Sequence, residues 1–221
     1  MSTERKEVMI LLYEYLKSNY MLGEPIFQND IKINGMTDAN LRDYFKKLTD
    51  DGVICRFDDE IYYFPKTNIL GEKQELAVET VAIHKYIMRK GKRIGYYSGY
   101  TLANRMGLTH QVPFIEEITS KLASGSDQET IIKNRKYIVR KPVVEITDEN
   151  VMVLQFLDCL KDIEKFADEE MEICGQILTK YAREHAITKQ DIDRFISKYP
   201  MKIYKTINDA GIHLFDSELN D

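Results

Sequence analysis

The chain has 221 residues, 43% apolar and 30% charged, with 31 basic side chains against 36 acidic for a net charge of −5. This composition excludes collagen-like, low-complexity and wholly disordered chains. At this length roughly 70% of the extended-chain surface can be buried without a metal or disulfide staple. The net charge argues against a uniform basic coat for nucleic acid, but the charge is segregated: residues 1–70 carry −3, 71–145 carry +5 and 146–221 carry −7.

From Glu4 to Asn19, Val8, Leu11, Leu12, Tyr15 and Leu16 recur at the spacing of an amphipathic helix. Residues Ile26–Ile33 read as two helical turns with Phe27 and Ile31 inward, broken by Asn34-Gly35. Thr37 suits the N-cap of a further helix over Asp38–Leu48, which buries Leu41, Tyr44, Phe45 and Leu48. Val53–Phe57 and Glu60–Phe64, rich in β-branched and aromatic residues around Asp58-Asp59, predict a hairpin.

Helix, short helix, helix, hairpin is the order of a winged helix-turn-helix, whose third helix commonly enters the major groove. The outward face of that helix offers Asn40 and Arg42 for base edges and Lys46 and Lys47 for phosphates. Asp43 and the acidic tip Asp58-Asp59-Glu60 argue the other way, toward a protein-interaction module. Both readings stand at this point.

The middle segment predicts a helix from Gln74 to Lys90 closed by Gly91. Arg89, Lys90, Lys92 and Arg93 then read either as helix-end charge or as a phosphate patch. The patch gains if Lys133, Arg135, Lys136, Arg140 and Lys141 share its face. Strands are expected over Ile94–Tyr97, Phe114–Thr119, Thr130–Lys133 and Lys136–Arg140, with a short helix Tyr100–Met106 closed by Gly107.

Three blocks in this order, YYFPKTNILGE (62–72), IGYYSGYTLANRMGLTHQVP (94–113) and RKYIVRKP (135–142), carry a resemblance. The chain resembles the AbiEi-like antitoxins of type IV toxin–antitoxin (abortive-infection) systems, in the branch with a GLTTQVP-like signature. Here the signature reads Gly107-Leu108-Thr109-His110-Gln111-Val112-Pro113, with His110 in place of the second Thr. The likeness spans roughly residues 50–160. It implies a winged-helix repressor of its own operon, with operator DNA as partner, followed by a domain that counteracts a nucleotidyltransferase-like toxin. Gly107, Thr109 and Pro113 themselves suit a turn better than a ligand site.

The last segment predicts helices over Asp148–Asp162, Ile173–Ala182, Lys189–Lys198 and Lys202–Ala210, with Thr188 as a cap. Its acidity reads as solvated helix faces or as a contact for a basic partner. No phosphate-binding loop, dinucleotide fingerprint or zincin motif occurs, and Asp191-Ile192-Asp193 lies in an amphipathic helix without a Gly-Ser loop. No catalytic residue, metal or cofactor is therefore expected. The odd set Cys55, Cys159 and Cys174, the lack of a leader pattern, and apolar runs of four or five residues predict a cytoplasmic, reduced protein off the membrane. The expected class is α+β: winged helix-turn-helix (1–70), small basic α/β module (71–145) and acidic helical unit (146–221).

Overall fold

The structure is a computed structural model that describes residues 3–212 except Ser126. It is mixed α+β and divides into two compact units, one ending at Val81 and the other beginning at Ala82. Residues 82–145 of the basic middle segment and the acidic helices thus fall within one unit. The apolar faces of the helices are used up against each other and against the short helix of the middle segment, so no boundary forms near residue 145.

In the first unit, α1 (Thr3–Asn19) and α2 (Asp38–Asp50) pack on a three-stranded sheet of β1 (Pro25–Phe27), β2 (Cys55–Asp58) and β3 (Ile61–Tyr63), in the order β1-β3-β2. Leu12 and Leu16 of α1 are buried, whereas Leu11, expected inward, is exposed. The helix's contact stripe is narrower than its apolar stripe. Leu41, Tyr44, Phe45 and Leu48 of α2 are all buried, each removal from water favouring the fold by roughly 1.5–3 kcal/mol. The Thr37 hydroxyl caps α2 by accepting the Asn40 N–H at 3.2 Å.

The short helix expected over Ile26–Ile33 is replaced by β1 and one 3-10 turn, Gln28–Asp30. Pro25, Ile26 and Phe27 are buried and pair antiparallel with Tyr63, Tyr62 and Ile61. Burial on both faces of a β-branched and aromatic ladder outweighs the local helical spacing. Phe27 and Ile31 still point inward, as their spacing predicts.

Helix α3 (Val78–Tyr86) ends short of its expected limit. Met88–Arg89 (β4) and Lys92–Arg93 (β5) then form a hairpin around Lys90 and Gly91, both at positive φ (50° and 71°). That pair of left-handed residues is what a two-residue hairpin loop requires, so Gly91 turns a hairpin rather than closing a helix.

The second unit holds a four-stranded sheet ordered β6 (Gly95–Tyr97), β7 (Glu116–Ser120), β9 (Arg135–Arg140), β8 (Gln128–Ile132). Only β7 and β9 run parallel. Helix α4 (Gly99–Met106) follows β6 and ends at Gly107, which takes the left-handed conformation expected of it (φ 81°). Helices α5 (Val151–Phe166), α6 (Met171–Glu184), α7 (Lys189–Ile196) and α8 (Lys202–Asp209) complete the unit. Helix α5 is its centre: Val151, Leu154, Phe156, Leu157 and Leu160 are all buried, as their spacing predicts. Thr188 caps α7 through a capping box with Asp191. Gly175 of α6 meets the end of α8 so closely that a Cβ there would overlap the Ala210 carbonyl. Among the described residues no helix is long and apolar enough to cross a membrane.

Candidate functional site

The α2 face is formed as its periodicity predicts. With Leu41, Tyr44, Phe45 and Leu48 turned to the core, Asn40, Arg42, Asp43 and Lys46 are exposed on the opposite side, and Lys47 is half-buried at its flank. The Arg42 Nε–H donates back to the Asp38 carbonyl at 3.3 Å, which draws the guanidinium along the helix. Asp38 also faces Lys32 at 3.8 Å, between two exposed side chains where such a pair is worth little. The face therefore offers one amide, one guanidinium and one ammonium to a ligand, diluted by Asp43.

The β2–β3 tip is acidic but partly self-neutralised. Arg56 pairs with Asp59, and Asn29 donates from Nδ2 to Glu60 at 2.5 Å. Glu60 sits at φ 58° while its carbonyl accepts the Gln28 N–H at 2.8 Å. These bonds tie the tip to the 3-10 turn, and Asp58 and Asp59 stay exposed.

The basic residues of the second unit are brought together less than the sequence suggests. Gly95, which follows the β4–β5 hairpin, pairs with Ser120 at the end of β7, whereas Glu116 at its start pairs with Tyr137 near the β8–β9 turn. Lys133, Arg135 and Lys136 thus lie at the opposite end of β7 from Arg89, Lys90, Lys92 and Arg93, whereas Arg140, which pairs with Thr119, and Lys141 after it lie at the same end as that cluster. Four residues of strand separate those ends by roughly 13 Å, before the hairpins extend further. Arg93 is held by Asp148 at 2.8 Å and Arg135 by Glu116 at 3.2 Å. Arg140 is held by Glu117 and Asp127. Arginines engaged in this way brace the sheet, and Lys92 and Lys136 remain the exposed strand lysines of the two clusters.

The Gly107–Pro113 segment is a clamped loop. One carboxylate, Asp168 in the α5–α6 connection, accepts the Thr109 hydroxyl at 2.6 Å, the His110 N–H at 2.8 Å and the Gln111 side-chain amide at 3.2 Å. The Asp168 N–H returns a bond to the Leu108 carbonyl at 3.2 Å. The Thr109 hydroxyl and the His110 N–H hold the Asp168 carboxyl below the usual carboxylate range. The turn role expected of Thr109 is thereby explained. Asp168 was invisible to sequence reasoning, since it lies far along the chain in an acidic run with no spacing signal. Beyond the clamp, Val112 and Phe114 project with 82% and 92% of their surface exposed.

The Asp191/Asp193 pair has other work: Asp191 closes the α7 capping box and Asp193 pairs with Lys189 at 2.8 Å. Among the described residues no group of three or more His, Cys, Asp or Glu side chains is placed to hold a metal ion. The sequence matches no known family model and no curated protein.

Proposed function

We propose that the chain is a DNA-binding autorepressor and antitoxin of a type IV toxin–antitoxin system, acting against a nucleotidyltransferase-like toxin. In this reading the first unit is a winged helix, α2 is its recognition helix and β2–β3 is its wing. The observation that carries the DNA half is the exposed Asn40, Arg42 and Lys46 face of a capped helix anchored on a β1-β3-β2 sheet. The antitoxin half rests on the three sequence blocks of the resemblance.

Arg42 is assigned to base edges and Lys46 to phosphate. Titration of the operon's own promoter by fluorescence anisotropy, at two salt concentrations, tests this. Arg42→Ala should cost about 1–3 kcal/mol and relax sequence preference, whereas Lys46→Ala should weaken all sequences alike and lower the salt slope by about 1. Wild-type affinity in both variants removes α2 from the interface.

A second reading, a winged-helix module for protein partners, is favoured by the acidic tip Asp58-Asp59-Glu60 and by the exposed Val112 and Phe114. Co-purification with the neighbouring gene product that survives nuclease treatment, together with no promoter binding, would select it.

A further inference from the structure

A cleft of about 460 Å³ opens in the second unit between one face of the sheet and α5. Glu117 and Thr119 of β7 face it beside Arg140 of β9 and Tyr96 of β6, as their two-residue alternation and cross-strand register require. Opposite them α5 presents Asp158, Lys161, Asp162 and Lys165. This i, i+3, i+4, i+7 stripe is the spacing of a buried helix face, here written in charge.

The acids of the cleft are already satisfied by the protein. Glu117 accepts the Tyr100 N–H at 2.9 Å and pairs with Arg140, lying where a Cβ on Gly99 would otherwise sit. Asp158 accepts the Tyr96 hydroxyl at 2.8 Å and faces Lys161 at 3.4 Å, and Asp162 is held by Lys165 at 2.7 Å. The α4 N-terminus is therefore occupied by a carboxylate, and a cation would find every acid spoken for.

What the cleft leaves open points to a different ligand. Ser98, only 3% exposed, lines it with a hydroxyl that has no hydrogen-bond partner among the described residues. A buried hydroxyl is rarely left so, and it can both donate and accept. Tyr100 and Phe166, ring to ring at 5.7 Å, form an aromatic wall, and Lys141 and Lys165 are exposed at the rim, Lys165 with its ammonium 2.7 Å from Asp162. A flat ring, mixed donors and acceptors, and one anionic end match this set, and the volume is in the range of small-molecule sites.

We propose that this cleft binds a nucleoside monophosphate, its base against the Tyr100–Phe166 wall, a base or ribose polar atom on Ser98, and its phosphate at Lys141 and Lys165. The proposal is independent of DNA binding by the first unit. Calorimetric titration of the full chain with the four ribonucleoside 5′-monophosphates, the parent nucleosides and inorganic phosphate tests it. At least one monophosphate should bind saturably, its nucleoside more weakly, and phosphate alone not at all. Ser98→Ala should lower that affinity roughly three- to tenfold while melting like wild type without ligand. Lys165→Gln should weaken the nucleotide and spare the nucleoside. Absence of saturable binding by every monophosphate at about millimolar concentration, phosphate binding as tightly as the nucleotides, or wild-type affinity in Ser98→Ala overturns the assignment.

Discussion

Replacing Thr37 by alanine tests whether α2 is set by its own end or only by the core beneath it. The Thr37 hydroxyl accepts the Asn40 N–H, one of the four amides that the first turn cannot satisfy internally, and Asp38 adds favourable charge beside it. Losing such a cap costs about 1 kcal/mol, equivalent to a roughly fivefold change in the opening equilibrium of the helix. The four buried side chains of α2 stay in place, so the cost should appear as faster opening of residues 38–50 and not as collapse of the unit. Hydrogen exchange read by mass spectrometry on the full chain should show α2 amides exchanging roughly fivefold faster in Thr37→Ala. Exchange in Thr37→Ser should stay near wild type, because serine keeps the acceptor. Equal exchange in wild type and Thr37→Ala, or equal acceleration in both variants, would refute the capping argument and with it the idea that Asn40 is positioned from the helix end.

Three further outcomes follow from the second unit. Burial holds the Asp158 carboxyl above its ordinary range, with Lys161 and the Tyr96 hydroxyl only partly offsetting it. The folded chain then binds that proton more tightly than the unfolded chain, so stability is fullest below the ordinary carboxylate range and is lost as pH rises through the folded value. The urea midpoint of wild type minus that of Asp158→Asn should fall across that window, and a flat or rising difference contradicts the sign. Gly107→Ala should cost about 1–2 kcal/mol for its left-handed backbone alone, since open space surrounds it, whereas Gly99→Ala should cost more because its Cβ meets the Glu117 carboxylate. Equal urea midpoints for the two variants would discount that close approach. Asp168→Ala should speed exchange of the His110 and Gln111 amides without moving those of α4; unchanged protection would show that the loop is held by something other than its clamp.

Much of the fold was readable because it rests on local periodicity and end chemistry. The α2 core residues, the Thr37 and Thr188 caps, the Gly107 stop and the apolar positions of α5 each follow from neighbours within a few residues. The two main misreadings have different causes. Pro25–Phe27 became a strand because a partner some 36 positions away in the chain, Ile61–Tyr63, pairs with it. The Arg89–Arg93 cluster became a hairpin because the left-handed Lys90-Gly91 pair and the bonds from Ile94 and Gly95 to Ile87 closed one, against a helical pattern that ran on to Lys90.

The sequence by itself determined α1, α2, α4 and the last helices, the Thr37 and Thr188 caps, the mixed α+β class and the exposed polar face of α2. It also supplied the charge segregation, but not its meaning. Only the tertiary structure decided that Lys133, Arg135 and Lys136 lie at the far end of β7 from Arg89–Arg93 while Arg140 lies at the near end, and that Arg93, Arg135 and Arg140 are braced by acids. It alone brought Asp168 onto the Thr109–Gln111 loop and turned the α5 charges toward Ser98, Glu117 and Arg140. The physical reason is range: helices and caps are satisfied within four residues, whereas strand register, ion pairs and clefts depend on groups that meet only after the chain has closed on itself.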